Sequence, residues 1–180
     1  GTSALVFHIS GGTTDLLLCN GVTVQQTLGT SLDLYAGQAV DRIGVKLGFP
    51  FPAGEHLSRL AAECPQQPRV KAVLKGMNCH LSGLENQCSA LLDKGYPPAY
   101  VAKYCLCTVG ETVFRMVEAA YAAGFRLPVV CAGGVMSSQI VRDYVTARLR
   151  DVCFVPGQFA SDNAIGVAII AAKEVGAWPM

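Results

Sequence analysis

The residues best placed to do chemistry in this 180-residue chain are hydroxyls, bare glycine backbone and a few carboxylates. Ser10-Gly11-Gly12-Thr13-Thr14 joins two apolar runs, Ala4 to Phe7 and Leu16 to Cys19, and is expected to be a tight hairpin turn. Adjacent glycines allow a backbone approach that any Cβ would block. Such a turn would aim several N–H groups and the hydroxyls of Ser10, Thr13 and Thr14 at one spot, and a nest of that kind binds anions, phosphate above all. An ordinary Gly-Gly hairpin with polar tips fits the same residues. A second feature follows. Asp33, Gly37, Asp41, Gly44 and Gly48 recur at three and four residues and would share one helix face. Three glycines there cost roughly 1 kcal/mol each against alanine. Two readings stand: a helix grazing a ligand, with Asp33 or Asp41 holding a hydroxyl or hydrated cation, or a close helix–helix crossing. Near the other end, Gly133-Gly134 follows an apolar strand and precedes Ser137-Ser138, and Ser161-Asp162-Asn163 precedes an apolar helix.

The elements that must position these residues can be read from periodicity. Asn20-Gly21 turns the second run into a third, Val22 to Leu28, and an Asn-Gly turn calls for positive φ at both residues. The first thirty residues therefore read as a three-stranded antiparallel meander. A helix follows from Ser31, its expected cap, to Gly48, with Ala36, Val40, Ile43 and Leu47 as its core stripe. Pro50 to Gly54 makes a loop, and Glu55 to Cys64 a short helix. Val70 to Leu74 is a possible strand. Ser82-Gly83 opens a helix ending at Gly95, and the longest helix runs from about Ala99 to Ala123. The last third alternates: strand Pro128–Ala132, a helix from Ser137 or Ser138 to about Arg150, strand Val152–Val155, and a helix over 164–175. A meander followed by helices and then β-α-β-α is an α/β order matching one lobe of the actin-like, ribonuclease-H-like ATPase architecture. Strand–glycine–helix junctions let ligands reach strand ends in such sheets.

Composition sets bounds. With 51% hydrophobic and 15% charged residues the chain is globular. A net charge of +1 gives no overall basic field of the kind a stand-alone nucleic-acid binder carries. The apolar run Ala164 to Ala172 is too short to span a bilayer, no segment reads as a signal peptide, and a cytoplasmic location is expected. Eight cysteines form no Cys-x-x-Cys pair and no histidine sits at zinc-finger spacing, so buried, reduced thiols are expected, Cys19, Cys131 and Cys153 inside strands. A core strand follows Gly1-Thr2-Ser3 at once, which reads as one lobe, residues 1–180, whose preceding lobe is missing. No Gly-x-x-x-x-Gly-Lys loop and no Gly-x-Gly-x-x-Gly fingerprint is present.

Five stretches in order carry a family resemblance: HISGGTTDL at 8–16, LDLYAGQAVDRIGVKLGFPFPAG at 32–54, LSGLEN at 81–86, CAGGVMSS at 131–138 and SDNAIGVA at 161–168. Together they resemble the universal family that makes threonylcarbamoyl-adenosine in tRNA, once described as O-sialoglycoprotein endopeptidases or glycoproteases. The resemblance implies that Ser10, Gly11, Gly12 and Thr13 hold the phosphates of ATP or of a threonylcarbamoyl-adenylate. It implies that Asp41 and Gly54 meet the ribose side, and that Gly133, Gly134 and Ser138 lie beside the base. It implies that Asp162 binds an iron or zinc ion together with two histidines of the missing lobe. The ion would act as a Lewis acid while the adenosine amine attacks the carbamoyl carbon and AMP leaves. Partners implied are an adenine nucleotide, the missing lobe, a related actin-like paralogue in a heterodimer, and tRNA only through the full assembly.

The departures from the family pattern are specific. Thr13 stands for a histidine, Gln38 for a glutamate, Ala53 for a glycine, Glu85 for a lysine and Ser138 for an asparagine. Glu85 would repel a phosphate it approached. Three functions are therefore carried forward: a transferase lobe, a non-catalytic nucleotide-binding or heterodimerisation paralogue, and a small-molecule kinase of the same architecture. A protease finds no support, because no Ser, Cys or Asp sits near a His in a recognisable nucleophile pattern.

Overall fold

The structure, a computed structural model, describes residues 2–156. Asp162 and the helix expected over 164–175 lie outside the described residues. The chain opens on an antiparallel meander, β1 (Ser3–Ile9), β2 (Thr14–Asn20) and β3 (Thr23–Thr30). Then come α1 (Ala36–Lys46) and α2 (Gly54–Ala62), a small hairpin of β4 (Val73–Lys75) and β5 (Asn78–His80), and α3 (Ser82–Asp93). The long helix α4 (Pro98–Ala122) leads to β6 (Val129–Ala132), a 3-10 turn (Gly134–Ser137), α5 (Gln139–Thr146) and β7 (Val152–Phe154).

Five strands form one sheet in the order β3-β2-β1-β6-β7, antiparallel on the meander side and parallel from β1 to β7. β1 is the hinge of this arrangement. Its alternation places Leu5, Phe7 and Ile9 in the core, where Leu16 of β2 and Val129 and Cys131 of β6 join them. The α4 residues Leu106, Val109, Val113, Val117 and Ala120 are all buried, as their spacing predicts. No helix among the described residues is long and apolar enough to cross a membrane.

Several expectations are corrected. In the Asn20-Gly21 turn only glycine takes positive φ, at +58°, and Asn20 ends β2. α1 begins at Ala36, because Ser31 to Leu34 are held elsewhere. Ser31 bridges to Cys79, and its hydroxyl donates to the Leu34 carbonyl at 2.7 Å rather than capping the helix. The cap comes from the hairpin. The Ala36 amide donates to the Thr14 hydroxyl at 2.8 Å, and the Gly37 amide to the Ser10 carbonyl at 3.2 Å. Two otherwise orphan helix donors are satisfied across 22 residues of sequence or more. The helix after Gly134 is split, the 3-10 turn first and then α5, which stops at Thr146 rather than Arg150. β5 has no counterpart in the sequence reading. Its three residues are too few for a period to register. All eight cysteines are free and seven are buried, but Cys153 is exposed.

Candidate functional site

The strand ends and the helices around them enclose one large cleft of about 830 Å³. The hairpin supplies Ser10 and Gly11, α1 supplies Gly37 and Asp41, and the first residue of α2 is Gly54. Beyond β6, Gly133, Gly134 and Ser138 close the opposite side. Seven of the nine residues singled out for nucleotide contact thus share one cavity, while Gly12 and Thr13 sit at the turn's outer end and do not line it. His8, His56 and Ser58 also line it, and sequence reasoning passed over all three. His8 opens the 8–16 stretch but is given no role by it, and His56 and Ser58 lie on a helix with no motif. Only the fold brings them to the cavity.

The glycines divide into two kinds. A Cβ on Gly37 would collide with the Ser10 carbonyl, with the Gly11 Cα 2.7 Å away, and one on Gly44 would overlap the Ala53 Cβ. The bare strip of α1 therefore admits protein, not ligand: the hairpin packs on Gly37 and Ala53 on Gly44. Gly48 terminates the helix at φ +91°. Gly133 has φ +100°, and a side chain there would strike the Ile9 backbone. Gly11, Gly12 and Gly134 are different. A Cβ on any of them meets nothing within 4 Å. Packing does not require these three, and two of them, Gly11 and Gly134, line the cleft from opposite sides.

The two aspartates of α1's expected face have separate roles. Asp41 lines the cleft, and its Oδ1 accepts from the Ala53 amide at 2.8 Å, which holds the turn into α2 against it. Asp33 lies before α1 and outside the cleft. Its carboxylate accepts from the Leu34, Leu81 and Ser82 amides at 2.6, 2.8 and 3.3 Å and from the Ser82 hydroxyl at 2.6 Å. It is the cap of α3 and not a hold for a cation. Desolvation raises its pKa, but the hydrogen bonds from Ser82, Leu81 and Leu34 outweigh that and keep the carboxyl well below the usual range. Glu85 likewise stands away from the cleft, paired with Arg42 at 3.5 Å, so the expected phosphate repulsion does not arise.

At the hairpin the hydroxyls separate. Thr14 is buried beneath α1, its oxygen occupied by the Ala36 amide, so it does not join the others. Ser10 Oγ lies 2.9 Å from Thr13 Oγ1, which lies 2.9 Å from His8 Nδ1. The Gly12 amide donates to Ser10 Oγ at 3.3 Å, and the Ser10 amide to the Thr13 carbonyl at 3.0 Å. A serine thus does stand in line with a histidine, through an intervening threonine, which spacing alone did not reveal. Across the cleft the Ser58 hydroxyl donates to Ser138 Oγ at 2.8 Å and ties α2 to the start of α5. The Phe49 and His56 rings stack at 5.4 Å and 12°.

Among the described residues no group of three or more His, Cys, Asp or Glu side chains converges to hold a metal ion. The iron or zinc implied by resemblance has no ligand set here, and its candidate ligand Asp162 lies outside the described residues.

A family model for tRNA N6-adenosine threonylcarbamoyltransferase matches residues 2–169. A protein of that name from Anaeromyxobacter dehalogenans is 34% identical over 175 residues, covering 89% of this chain and 52% of its own length. One from Thermus thermophilus is 30% identical over 171 residues, covering 93% and 53%. The chain spans about half the length of these curated relatives. Among solved structures, component A of the Acidaminococcus fermentans (R)-2-hydroxyglutaryl-CoA dehydratase superposes with TM-score 0.67 at 19% identity, over 97% of this chain and 62% of that one. The activator of the Clostridium difficile 2-hydroxyisocaproyl-CoA dehydratase, solved with bound ADPNP, gives 0.62 at 13% identity over the same shares. These likenesses establish an actin-like ATPase fold.

Proposed function

We propose, because the chain belongs to the tRNA N6-adenosine threonylcarbamoyltransferase family, that its cleft is the adenine-nucleotide site of such a transferase and that residues 1–180 are one lobe of it. The observation that carries this is the unoccluded glycine backbone at Gly11 and Gly134, facing across a cavity of about 830 Å³ that also contains Ser10, Asp41, Gly54, Gly133 and Ser138. Backbone kept bare where packing does not ask for it leaves room for something outside the protein. A cavity of this size suits a nucleotide. The bound ADPNP of the Clostridium difficile activator supports a nucleotide in this fold.

In this reading Ser10 and the Gly11 backbone meet the phosphates, with Gly12 and Thr13 shaping the turn behind them, Asp41 accepts from a ribose hydroxyl, and Gly133, Gly134 and Ser138 flank the base. The ligand is ATP or a threonylcarbamoyl-adenylate, and AMP leaves when the exocyclic amine of a tRNA adenosine takes the carbamoyl carbon. This chain's part is to hold the phosphate end and the ribose while that exchange proceeds. Asp162 is the residue we put forward for the family's metal. Transfer itself, tRNA and any heterodimeric paralogue belong to the full assembly.

Calorimetric titration with ATP and AMP tests the reading. Asp41→Ala is expected to weaken binding about tenfold, the loss of one charge-assisted hydrogen bond. Gly11→Val and Gly134→Val are expected to weaken it at least as much without lowering stability, since their side chains meet no protein atom. Absence of heat with both nucleotides, with the other lobe restored, removes the reading.

A further inference from the structure

We propose that His8 and Thr13 are positioning residues that set the direction in which Ser10 presents its hydroxyl to an oxyanion in the cleft. The proposal rests on the nucleotide reading above, and geometry carries it. Ser10 is locked at both backbone ends: its amide donates to the Thr13 carbonyl and its carbonyl accepts from the Gly37 amide. Only its hydroxyl can adapt. That hydroxyl begins a chain of two 2.9 Å hydrogen bonds, Ser10 Oγ to Thr13 Oγ1 to His8 Nδ1.

Each hydroxyl has one proton, so the chain has two directions. With Nδ1 bare, Thr13 donates to the imidazole and Ser10 donates to Thr13. The Ser10 proton is then turned away from the cleft, and its oxygen, which also accepts from the Gly12 amide, offers lone pairs that repel an anion. With a proton on Nδ1, the imidazole donates to Thr13, Thr13 donates to Ser10, and the Ser10 proton is released to point at the ligand. A proton on Nδ1, in the imidazolium or in the neutral Nδ1–H tautomer, therefore converts Ser10 from acceptor to donor two hydrogen bonds away.

The cavity is lined by no lysine and no arginine among the described residues, and His8 and His56 are its only groups able to carry positive charge. The ionisable groups that line the cavity with His8 are Asp41 on α1 and Glu55 and His56 on α2; Asp15 on β2 is its cross-strand partner, with Oδ1 engaged by the Thr30 hydroxyl at 2.6 Å. β6 opposes it with Ala132 and the turn beyond with glycines. Thr13 stands where the family resemblance has a histidine, and an imidazole from β1 meets its hydroxyl.

The test is ATP and AMP titration in chelator-treated buffer, with the imidazole nitrogens of His8 followed by NMR. Thr13→Val is expected to bind about tenfold more weakly than wild type, the loss of one oriented hydrogen bond to an anion, and Thr13→Ser should restore binding. His8→Phe should weaken binding to the same extent, and the His8→Phe/Thr13→Val double variant no further. Losses that add in the double variant, or Thr13→Val equal to Thr13→Ser, overturn the proposal and leave the nucleotide reading standing. If neither nucleotide binds wild type, that reading fails. The hydroxyl chain is then decided by NMR alone: His8 Nδ1 must differ between Thr13→Ser and Thr13→Val, and identical spectra overturn it.

Discussion

At the scale of single residues, Asp33 shows how an acidic side chain with a ligand-like address can be wholly committed to structure. Its spacing from Asp41 placed both on one expected helix face, yet α1 starts at Ala36 and leaves Asp33 free to reach α3. Asp33→Ala should cost about 2 kcal/mol, the loss of a charged helix cap, and should leave nucleotide binding unchanged. The pH dependence has a definite sign. The folded carboxyl is held below its unfolded value of about 3.9, so its stabilisation is complete above that value and lost as pH falls through the depressed one. Urea melts of wild type and Asp33→Ala should differ at pH 7 and converge in strong acid. A constant difference would show that packing, not the charge, is responsible. The site residues were legible here to different degrees. Ser10, Gly11 and Gly133 announced themselves as turn chemistry, whereas His8, at the strand edge of the same stretch, shows its bond to Thr13 only in the fold, and Ser58 on a helix carries no local mark.

At the scale of elements, the meeting of α1 with the segment entering α2 is governed by one pair of small residues. The Gly44 face accepts the Ala53 Cβ, and Ala53 is fully buried. Gly44→Ala gains helix propensity of about 1 kcal/mol but forces two methyl groups together, an overpacking of about 1–3 kcal/mol. The net expectation is a loss of about 1 kcal/mol, largely recovered in the Gly44→Ala/Ala53→Gly double variant. Thermal melts of the cycle measure the coupling. Additive effects would mean the helices simply shift apart. This also explains what periodicity could and could not say. Glycines at three- and four-residue spacing predict that something comes close to a helix, and something does. The pattern has no means of distinguishing a ligand from alanine, because both need the same absent Cβ. Long elements such as α4 were readable to within a residue, while α1's start was not, since its cap arrives from Thr14 in the hairpin rather than from a neighbour.

At the scale of the whole molecule, the core treats its thiols as small apolar groups. Burial pushes the Cys79 and Cys107 thiols up to about 11 and Cys131 to about 12, so none of these offers thiolate at neutral pH. Alkylation of the native protein should therefore modify Cys153 rapidly and the other seven only on unfolding, read by intact mass in buffer and in urea. Fast reaction of a second thiol would mean that the sheet or α4 opens locally. The composition already implied reduced, buried cysteines. It could not single out Cys153, because β7 is a short strand whose outward face is decided by the sheet and not by its own three residues.

The placement of β1 between β2 and β6 has a further consequence for how the protein is made. Its neighbour on one side is the next strand to leave the ribosome, while the other, Val129 to Ala132, comes late in synthesis. The β1–β2 hairpin turn can thus take shape early, on a nascent chain whose flank bears unpaired amides and carbonyls until α4 has been translated. Throughout that interval the half-built sheet is open to strands from other chains, and a stall upstream of Val129 would leave a folded hairpin with a sticky margin.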